Sequence, residues 1–173
     1  MPSSTFRTIM GFFRSVLARR IPSLRKEGSL EGIYNYQPVD NRVATSGQPD
    51  ESQLIQIVNA GYQIVINLAP TSTFENSVVE ERSILEDCGA NYVHIPVDFK
   101  NPTESDFLEF RKTMELHETE KVWVHCAANM RVSAFIYRYR RSVLGHETAD
   151  AKADLHKIWE PFGAWKDLIE HDA

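Results

Sequence analysis

The chain is poor in cysteine, with only Cys88 and Cys126 among its 173 residues. Two cysteines cannot build the disulfide framework of a small secreted domain, and neither belongs to a Cys-x-x-Cys or Cys/His pattern with metal-ligand spacing. Long apolar runs are also missing, because no segment reaches the roughly 18 apolar residues that a membrane-spanning helix needs. We therefore expect a metal-free protein of a reducing, cytoplasmic compartment, with one compact domain.

Acidic residues are absent from the first 26 positions, although the whole chain has a net charge of −5. That segment carries six basic residues, and subtracting its +6 from the total leaves −11 for residues 27–173. The chain therefore divides by charge into a basic N-terminal arm and an acidic body. The basic residues are Arg7, Arg14, Arg19, Arg20, Arg25 and Lys26.

The basic arm has the pattern of an amphipathic helix over residues 4–20. Arg14 interrupts its apolar residues, so the arm does not have the uninterrupted core of a secretory signal. Two interpretations stay open: the helix packs on the domain or on a second subunit, or residues 1–22 make a peripheral contact with anionic lipid. We place the arm at residues 1–29 and the domain at residues 30–173, and the oligomeric state stays unknown.

Beyond the arm, short apolar runs alternate with helical patterns. The runs at 42–47, 63–69, 91–97 and 121–126 predict strands. Helices are predicted at 50–60, 75–88, 104–117, 130–144, 147–159 and 163–170, and Gly61 and Gly89 stand where helix C-caps belong. Such alternation predicts an α/β fold, with a central, mostly parallel sheet and helices on both faces.

Three arginines on the predicted helix 130–144 raise the question of nucleic-acid binding. The body is strongly acidic and shows no interleaving of basic and aromatic residues, so we expect no nucleic-acid partner. We interpret Arg138, Arg140 and Arg141 as a solvated helix face.

The stretch KVWVHCAANMRVSAF, residues 121–135, places Cys126 where a central strand ends and a helix begins. Converging backbone N–H groups and the helix dipole stabilise an anion at such a point, so they favour a thiolate and can also bind an oxyanion. Arg131 offers a planar fork for bidentate contact with a phosphate. His125 would favour the thiolate, and Ser133 would donate to it and help it leave.

These residues, with TSGQPDESQL, VINLAP and IPVDFKNPTESDF upstream, resemble the bacterial branch of the cysteine-dependent dual-specificity phosphatases. The resemblance covers roughly residues 30–165 and is strongest to the phosphatase-like domain that also occurs fused to β-lactamase-hydrolase-like proteins. It implies a phosphocysteine intermediate on Cys126, a carboxylic acid that protonates the leaving group, and no cofactor. The substrate would be a phosphorylated protein or small molecule. The phosphate would be held by Ala127, Ala128, Asn129, Met130 and Arg131.

The chain departs from the usual pattern of this family in the loop itself. Four residues separate Cys126 from Arg131 instead of five, so Val132 stands in the usual place of the arginine. Asn129 replaces the usual glycine, and Asn is the non-glycine residue that best enters the left-handed region. The short loop keeps two alternatives open: a phosphate- or phosphoprotein-binding module without turnover, and a rhodanese-like sulfurtransferase.

Asp98 is the candidate for the general acid, because it follows a predicted strand and precedes the nucleophile by a separation close to that of the family. Its competing interpretation is a turn residue that caps the loop DFKNP. Asp106 is a weaker candidate, because Thr103 and Asp106 have the spacing of a capping box. Glu104 has the same weakness in milder form.

Two further stretches have ordinary structural interpretations and weaker functional ones. Residues 46–48 lie at the end of the first predicted strand. They would form an ordinary turn there, or they would contact the substrate. Trp159, Phe162 and Trp165 would pack the C-terminal helices or form an aromatic wall for a substrate. Cys88 is interpreted as an ordinary residue near a helix end.

Overall fold

A five-stranded sheet with strand order β1-β2-β5-β3-β4 forms the centre of the molecule. The computed structural model describes residues 3–20, 29–72, 77–78, 80–146 and 148–171. β1 pairs with β2 in antiparallel fashion, and all other pairs are parallel. The predicted central, mostly parallel sheet is confirmed; the two-residue edge strand β1 is too short for a sequence pattern. The strands are β1 (Gln37–Pro38), β2 (Val43–Ser46), β3 (Ile64–Asn67), β4 (Asn91–His94) and β5 (Val122–His125).

Seven α-helices surround the sheet in the described part of the chain, and a 3-10 turn (Leu30–Gly32) precedes β1. Capping boxes start α2, through Asp50 and Gln53, and α4, through Thr103 and Asp106. The first part of the helix predicted at 75–88 includes positions outside the described residues. The helices are α1 (Ser3–Arg20), α2 (Glu51–Asn59), α3 (Glu81–Asp87), α4 (Glu104–Leu116), α5 (Met130–Ser142), α6 (Thr148–Ile158) and α7 (Ala164–Glu170).

The two faces of the sheet carry different helices. Trp123 of β5 and Val65 of β3 point to the core formed with α2 and α3. Val122 and Val124 of β5 belong to the larger core formed with α4, α5, α6 and α7. Successive residues of a strand face opposite sides, so near-continuous apolar strands bury both faces, as parallel sheets require.

Arg138 on α5 corrects the interpretation of a solvated arginine face. Its side chain is fully buried, and its two terminal nitrogens donate to the carboxylate of Glu104 at 2.6 and 2.8 Å. The guanidinium also lies 4.0 Å from the ring centroid of Phe107. Arg140 and Arg141 are half-buried. The prediction was wrong because helix periodicity does not show that α4 supplies a carboxylate and a ring to Arg138.

Helix α1 packs on the domain through polar side chains. Thr8 Oγ1 donates to the carbonyl of Ile158 at 2.5 Å, and the backbone N–H of Glu160 donates to Thr5 Oγ1 at 3.0 Å. The hydroxyl of Tyr34 donates to the carbonyl of Thr8. The first interpretation of the arm, packing on the domain, therefore agrees with these contacts. None of the helices in the described ranges has the length and apolar character to cross a bilayer.

Candidate active site

Cys126 lies at the carboxyl end of β5, which has β2 on one side and β3 on the other. In open parallel sheets this end of the central strands is where ligands bind. The side chain of Cys126 is fully buried, and its N–H donates to the carbonyl of Ser46 at 3.4 Å. Helix α5 begins only four positions later, and a helix leaves its first N–H groups without intrahelical acceptors.

Asn129 forms the turn between Cys126 and α5. Its φ of 64° lies in the left-handed region, as predicted for the residue in the usual place of glycine. The side-chain amide donates to the carbonyl of Asn35 at 2.8 Å and to Thr45 Oγ1 at 3.0 Å. Asn35 in turn donates to the carbonyl of Ala128 at 3.0 Å. These bonds anchor the loop 126–131 to β2 and to the segment before β1.

The stretch 46–48 supports the same loop and does not line the cleft that contains Cys126. A Cβ on Gly47 would lie 2.7 Å from the ring of Tyr34 and 2.9 Å from the carbonyl oxygen of Ala127, so only glycine fits there. The N–H of Gln48 donates to that same carbonyl at 3.1 Å. The structural interpretation of this stretch agrees with the contacts.

Arg131 is buried in the first turn of α5 and lines the same cleft as Cys126. Its Nε donates to the carbonyl of Val97 at 2.9 Å, and its guanidinium carbon lies 5.3 Å from the ring centroid of Phe99. The segment after β4 thus fixes the guanidinium beside the loop. A shortened loop therefore still brings arginine and cysteine into one cleft.

Glu81 is a site residue that sequence reasoning missed. One carboxylate oxygen lies 2.8 Å from Nε2 of His125, and both side chains are almost completely buried. Gln48 donates to the same oxygen at 3.2 Å, while Asn67 and Tyr92 donate to the other at 2.8 and 3.2 Å. In the sequence Glu81 lay inside the helix predicted at 75–88, where an acidic residue is ordinary, so no local signal marked it.

The pairing with His125 determines the charge of Glu81. Burial by itself would raise the pKa of this carboxyl, but the imidazole next to it and the hydrogen bonds from Gln48 and Asn67 outweigh that effect. The pKa of Glu81 therefore lies below its ordinary value. This carboxylate lies against His125, the residue directly before Cys126.

Asp98 lines the cleft with Cys126 and Arg131, and its side chain is exposed. Its Oδ1 also accepts the N–H of Lys100 at 3.0 Å, so it caps the turn as its competing interpretation predicts. The indole of Trp165 donates to the carbonyl of Phe99 at 2.8 Å and anchors this turn.

The other two candidate acids have structural partners. Asp106 completes the capping box of α4, where its carboxylate accepts the N–H of Thr103 at 2.8 Å. Glu104 is engaged by Arg138. Of the three carboxylates considered from the sequence, Asp98 is the one that lines the cleft.

Ser133 is buried, and its hydroxyl donates to the carbonyl of Met130 at 3.1 Å. The indole of Trp159 donates to the same carbonyl at 3.0 Å. The expected hydrogen bond from Ser133 to the thiolate is not among the contacts of the described residues, and this role stays a prediction. Trp159 and Trp165 pack in the core as expected, and both also bond to the backbone around the site.

The cleft above Cys126 has a volume of about 560 Å³ and is mostly apolar. Besides the loop and Asp98, its walls include Ile9, Phe12 and Phe13 of α1 and Phe162 before α7. Of the three aromatic residues near the C-terminus, only Phe162 therefore lies where a substrate could contact it.

Cys88 is exposed at the end of α3. Among the described residues, no group of three or more His, Cys, Asp or Glu side chains is arranged to hold a metal ion.

The fold and the loop define a dual-specificity phosphatase-like protein. The chain belongs to the family described as a DSP-PTPase phosphatase fused to NAD+ kinase, whose model matches residues 19–164. The resemblance stated from the sequence is thereby confirmed. The match begins at residue 19, so it includes the end of α1, which the sequence resemblance left out.

Known proteins similar to this chain are also phosphatase-like. A phosphatase-like DUF442 protein from Shewanella putrefaciens CN-32 is 32% identical with a TM-score of 0.72, over 82% of this chain and 92% of that one. The active form of Tk-PTP, at 21% identity and a TM-score of 0.64 over 79% and 94% of the chains, shares the fold. The β-lactamase hydrolase-like protein of Xylella fastidiosa is 30% identical over 95 residues, which are 54% of this chain and 22% of that protein. The chain thus corresponds to about a fifth of the length of that relative.

Proposed function

We propose that the protein is a cysteine-dependent phosphatase that hydrolyses phosphate monoesters through a phosphocysteine at Cys126. The observation that carries the proposal is the shared cleft of Cys126, Arg131 and Asp98 at the start of α5. In the proposed reaction, the thiol, the arginine and the exposed carboxyl group of that cleft would act as nucleophile, phosphate ligand and general acid. The match to a phosphatase family supports the same reaction class.

The reaction would proceed in two displacement steps. The thiolate of Cys126 attacks phosphorus, the bond from phosphorus to the leaving oxygen breaks, and Asp98 gives its proton to that oxygen. Water then attacks the phosphocysteine, the S–P bond breaks, and the water proton returns to the carboxylate of Asp98. The products are an alcohol or phenol, inorganic phosphate and the original thiolate.

The loop would stabilise charge on the phosphoryl oxygens in both steps. The N–H groups of residues 127–131 form the cradle, and Arg131 contributes a guanidinium that Val97 and Phe99 already hold in position. A preoriented arginine needs little reorganisation when charge builds up. His125, paired with Glu81, would stabilise the thiolate from the strand side.

A binding module without turnover is the second candidate function. The four-residue spacing between Cys126 and Arg131 and the orientation of the Ser133 hydroxyl toward Met130 favour it. Such a module would keep the oxyanion cradle but would release no phosphate.

Phosphate release from an aryl phosphate tests the proposal. We expect the wild type to release phosphate. Cys126→Ser should lose turnover but retain oxyanion binding, and Arg131→Lys should lose much of both, because an ammonium group lacks the planar fork of the guanidinium.

A Cys88→Ser background leaves Cys126 as the single thiol for alkylation, which phosphate or vanadate should slow. Oxyanion protection without phosphate release would identify the binding module. A persulfide on Cys126 after thiosulfate treatment, with sulfur transfer to cyanide, would identify the sulfurtransferase.

A further inference from the structure

The cleft runs from a polar floor to an apolar rim. Cys126 is fully buried, whereas Phe13 and Phe162 are 60% and 57% exposed, and all three line the same cleft. Ile9 and Phe12 extend the apolar wall on the α1 side. A substrate would therefore place its phosphate at the loop and an apolar portion along α1.

Helix α1 is a fixed wall of this cleft. Thr5 and Thr8 are buried against the segment that ends α6, and Arg7 donates from Nη2 to the carbonyl of Lys157 at 2.5 Å. Burial raises the pKa of Tyr34, whose neutral hydroxyl donates to the carbonyl of Thr8. These contacts keep Phe12 and Phe13 beside the nucleophile.

The outer face of α1 is an exposed apolar stripe, formed by Phe6, Met10, Phe13 and Leu17. Each of the four side chains is more than half exposed. Their spacing of four, three and four residues places them on one side of the helix. Phe13 belongs to both the stripe and the cleft, so the stripe continues directly into the entrance of the site.

Charge distinguishes the N-terminal segment of the sequence from the rest of the chain. The first 26 residues carry +6, and the remaining residues carry −11. Arg14 is exposed on α1 beside the stripe. An apolar stripe with basic residues is typical of a helix that lies in the interface of an anionic bilayer.

The cleft suits a lipid better than a peptide. A peptide substrate needs hydrogen-bond partners for its backbone groups, since unpaired N–H and C=O groups are costly to bury. The α1 side and Phe162 offer apolar side chains there, and the polar lining groups lie toward the loop and the Asp98 turn. An acyl or prenyl chain needs no such partners.

We propose that the substrate is a lipid with a terminal phosphate monoester, taken from an anionic bilayer on which the apolar stripe of α1 lies. The inference rests on the proposed phosphatase function. The phosphate enters the loop 126–131, and the proximal part of the lipid contacts Phe12, Phe13 and Phe162. The leaving group protonated by Asp98 is the lipid hydroxyl, and inorganic phosphate is released to water.

The substrate test compares four phosphate monoesters: phosphatidic acid in phosphatidylcholine vesicles, glycerol phosphate, p-nitrophenyl phosphate and a phosphotyrosine peptide. We expect kcat/KM for vesicle phosphatidic acid to exceed that for glycerol phosphate by at least about a hundredfold, because burial of even a few methylenes supplies that factor. Equal rates for these two, or a faster rate for the peptide, overturn the lipid inference while the phosphatase survives. No release from any of the four overturns the phosphatase itself.

The surface test uses exposed positions of the stripe that do not line the cleft. Met10→Asp combined with Leu17→Asp should reduce vesicle association and phosphatidic acid turnover by at least about tenfold, because the stripe then loses apolar area and gains negative charge. Leu116→Asp is the matched control, since Leu116 is 74% exposed on α4. The rate with p-nitrophenyl phosphate reports the integrity of the site. An equal loss on both substrates, or the same loss in Leu116→Asp, overturns the assignment of the stripe.

Discussion

At the scale of single residues, Glu81 joins several buried polar side chains below the candidate site. It accepts hydrogen bonds from Gln48, Asn67 and Tyr92 and lies against His125. Gln48, Asn67, Glu81 and His125 are all buried, so water has little access to them. Loss of the carboxylate charge would weaken all of these contacts at once, and poorly paired polar groups are costly in a low-dielectric interior.

We predict that Glu81→Gln lowers the free energy of unfolding at neutral pH. The free energy of unfolding of this variant should also change less with pH in the acidic range. The pKa of Glu81 is lowered in the folded state, so its contribution is present above the unfolded value of about 4.5 and is lost as pH falls through the folded value. Denaturant unfolding measured between about pH 3 and 7 checks the slope. The exposed Glu80→Gln is the control, and an identical pH profile for both variants would refute the role of the buried pair.

Asp98 carries the second residue-scale prediction. If it protonates the leaving group, Asp98→Asn should slow substrates with poor leaving groups by roughly 10²- to 10⁴-fold and activated aryl phosphates far less, because these need little protonation. Asp106→Asn should leave both rates intact and cost about 1 kcal/mol of stability through the cap of α4. Small and equal effects of Asp98→Asn on the two substrate types would assign the acid to another group.

At the scale of elements, a buried ion pair joins α4 to α5. Arg138 is 0% exposed, whereas Glu104 is 42% exposed, so water screens only one end of the pair. The stacking of Arg138 over Phe107 adds a cation–π contact to the same junction. The buried charge of Arg138 on α5 is thus compensated by side chains of another helix, α4.

We predict that Glu104→Ala destabilises the protein by about 1–2 kcal/mol, less than for a fully buried pair because Glu104 is partly solvated. Arg138→Met added to Glu104→Ala should recover part of this loss, since the buried charge is then gone. Free energies of unfolding of the two single variants and the double variant form the test. Glu115→Ala breaks the exposed pair with Arg111 and should cost less than about 1 kcal/mol. A double variant less stable than Glu104→Ala alone would contradict the argument.

At the scale of the whole molecule, the cleft lies at one edge of the sheet and the charge is unevenly distributed along the chain. The parallel strands bring the segments after β2, β3, β4 and β5 to one edge, where Cys126 and Asp98 share a cleft. Helix α1 packs beside that edge, and in the sequence the first 26 residues carry +6 whereas the rest carries −11. An anionic surface would therefore attract the N-terminal segment and repel the rest of the chain.

This asymmetry predicts salt-dependent vesicle binding with a fixed orientation. Association of the full chain with anionic vesicles should weaken as salt rises, because the Debye screening length falls from about 30 Å at 0.01 M to about 3 Å at 1 M. Co-sedimentation across a salt series measures the effect. Arg14→Gln should reduce the salt dependence, whereas Lys112→Gln, an exposed residue of α4, should not. Binding of neutral and anionic vesicles to the same extent at every salt concentration would contradict the prediction.

The sequence by itself determined the features that depend on local patterns. Apolar strands alternating with helical periodicity identified the parallel sheet, and the strand-Cys-loop-helix pattern identified the position of Cys126 and Arg131. Asn129 was expected to permit the turn in the usual place of glycine, because Asn is the non-glycine residue that best enters the left-handed region, and it adopts that region. These properties follow from neighbouring residues, since backbone sterics and side-chain period act over a few positions.

Only the tertiary structure decided which distant residues meet. In the sequence Glu81 was an ordinary acidic residue inside the helix predicted at 75–88, and only the order β5-β3-β4 brought α3 next to His125. Arg138 looked solvated until α4 covered it with Glu104 and Phe107, and α1 became a wall of the cleft only by packing along α6. The physical reason is that burial and pairing depend on contacts between elements far apart in the chain, and no local period encodes which element will supply the partner.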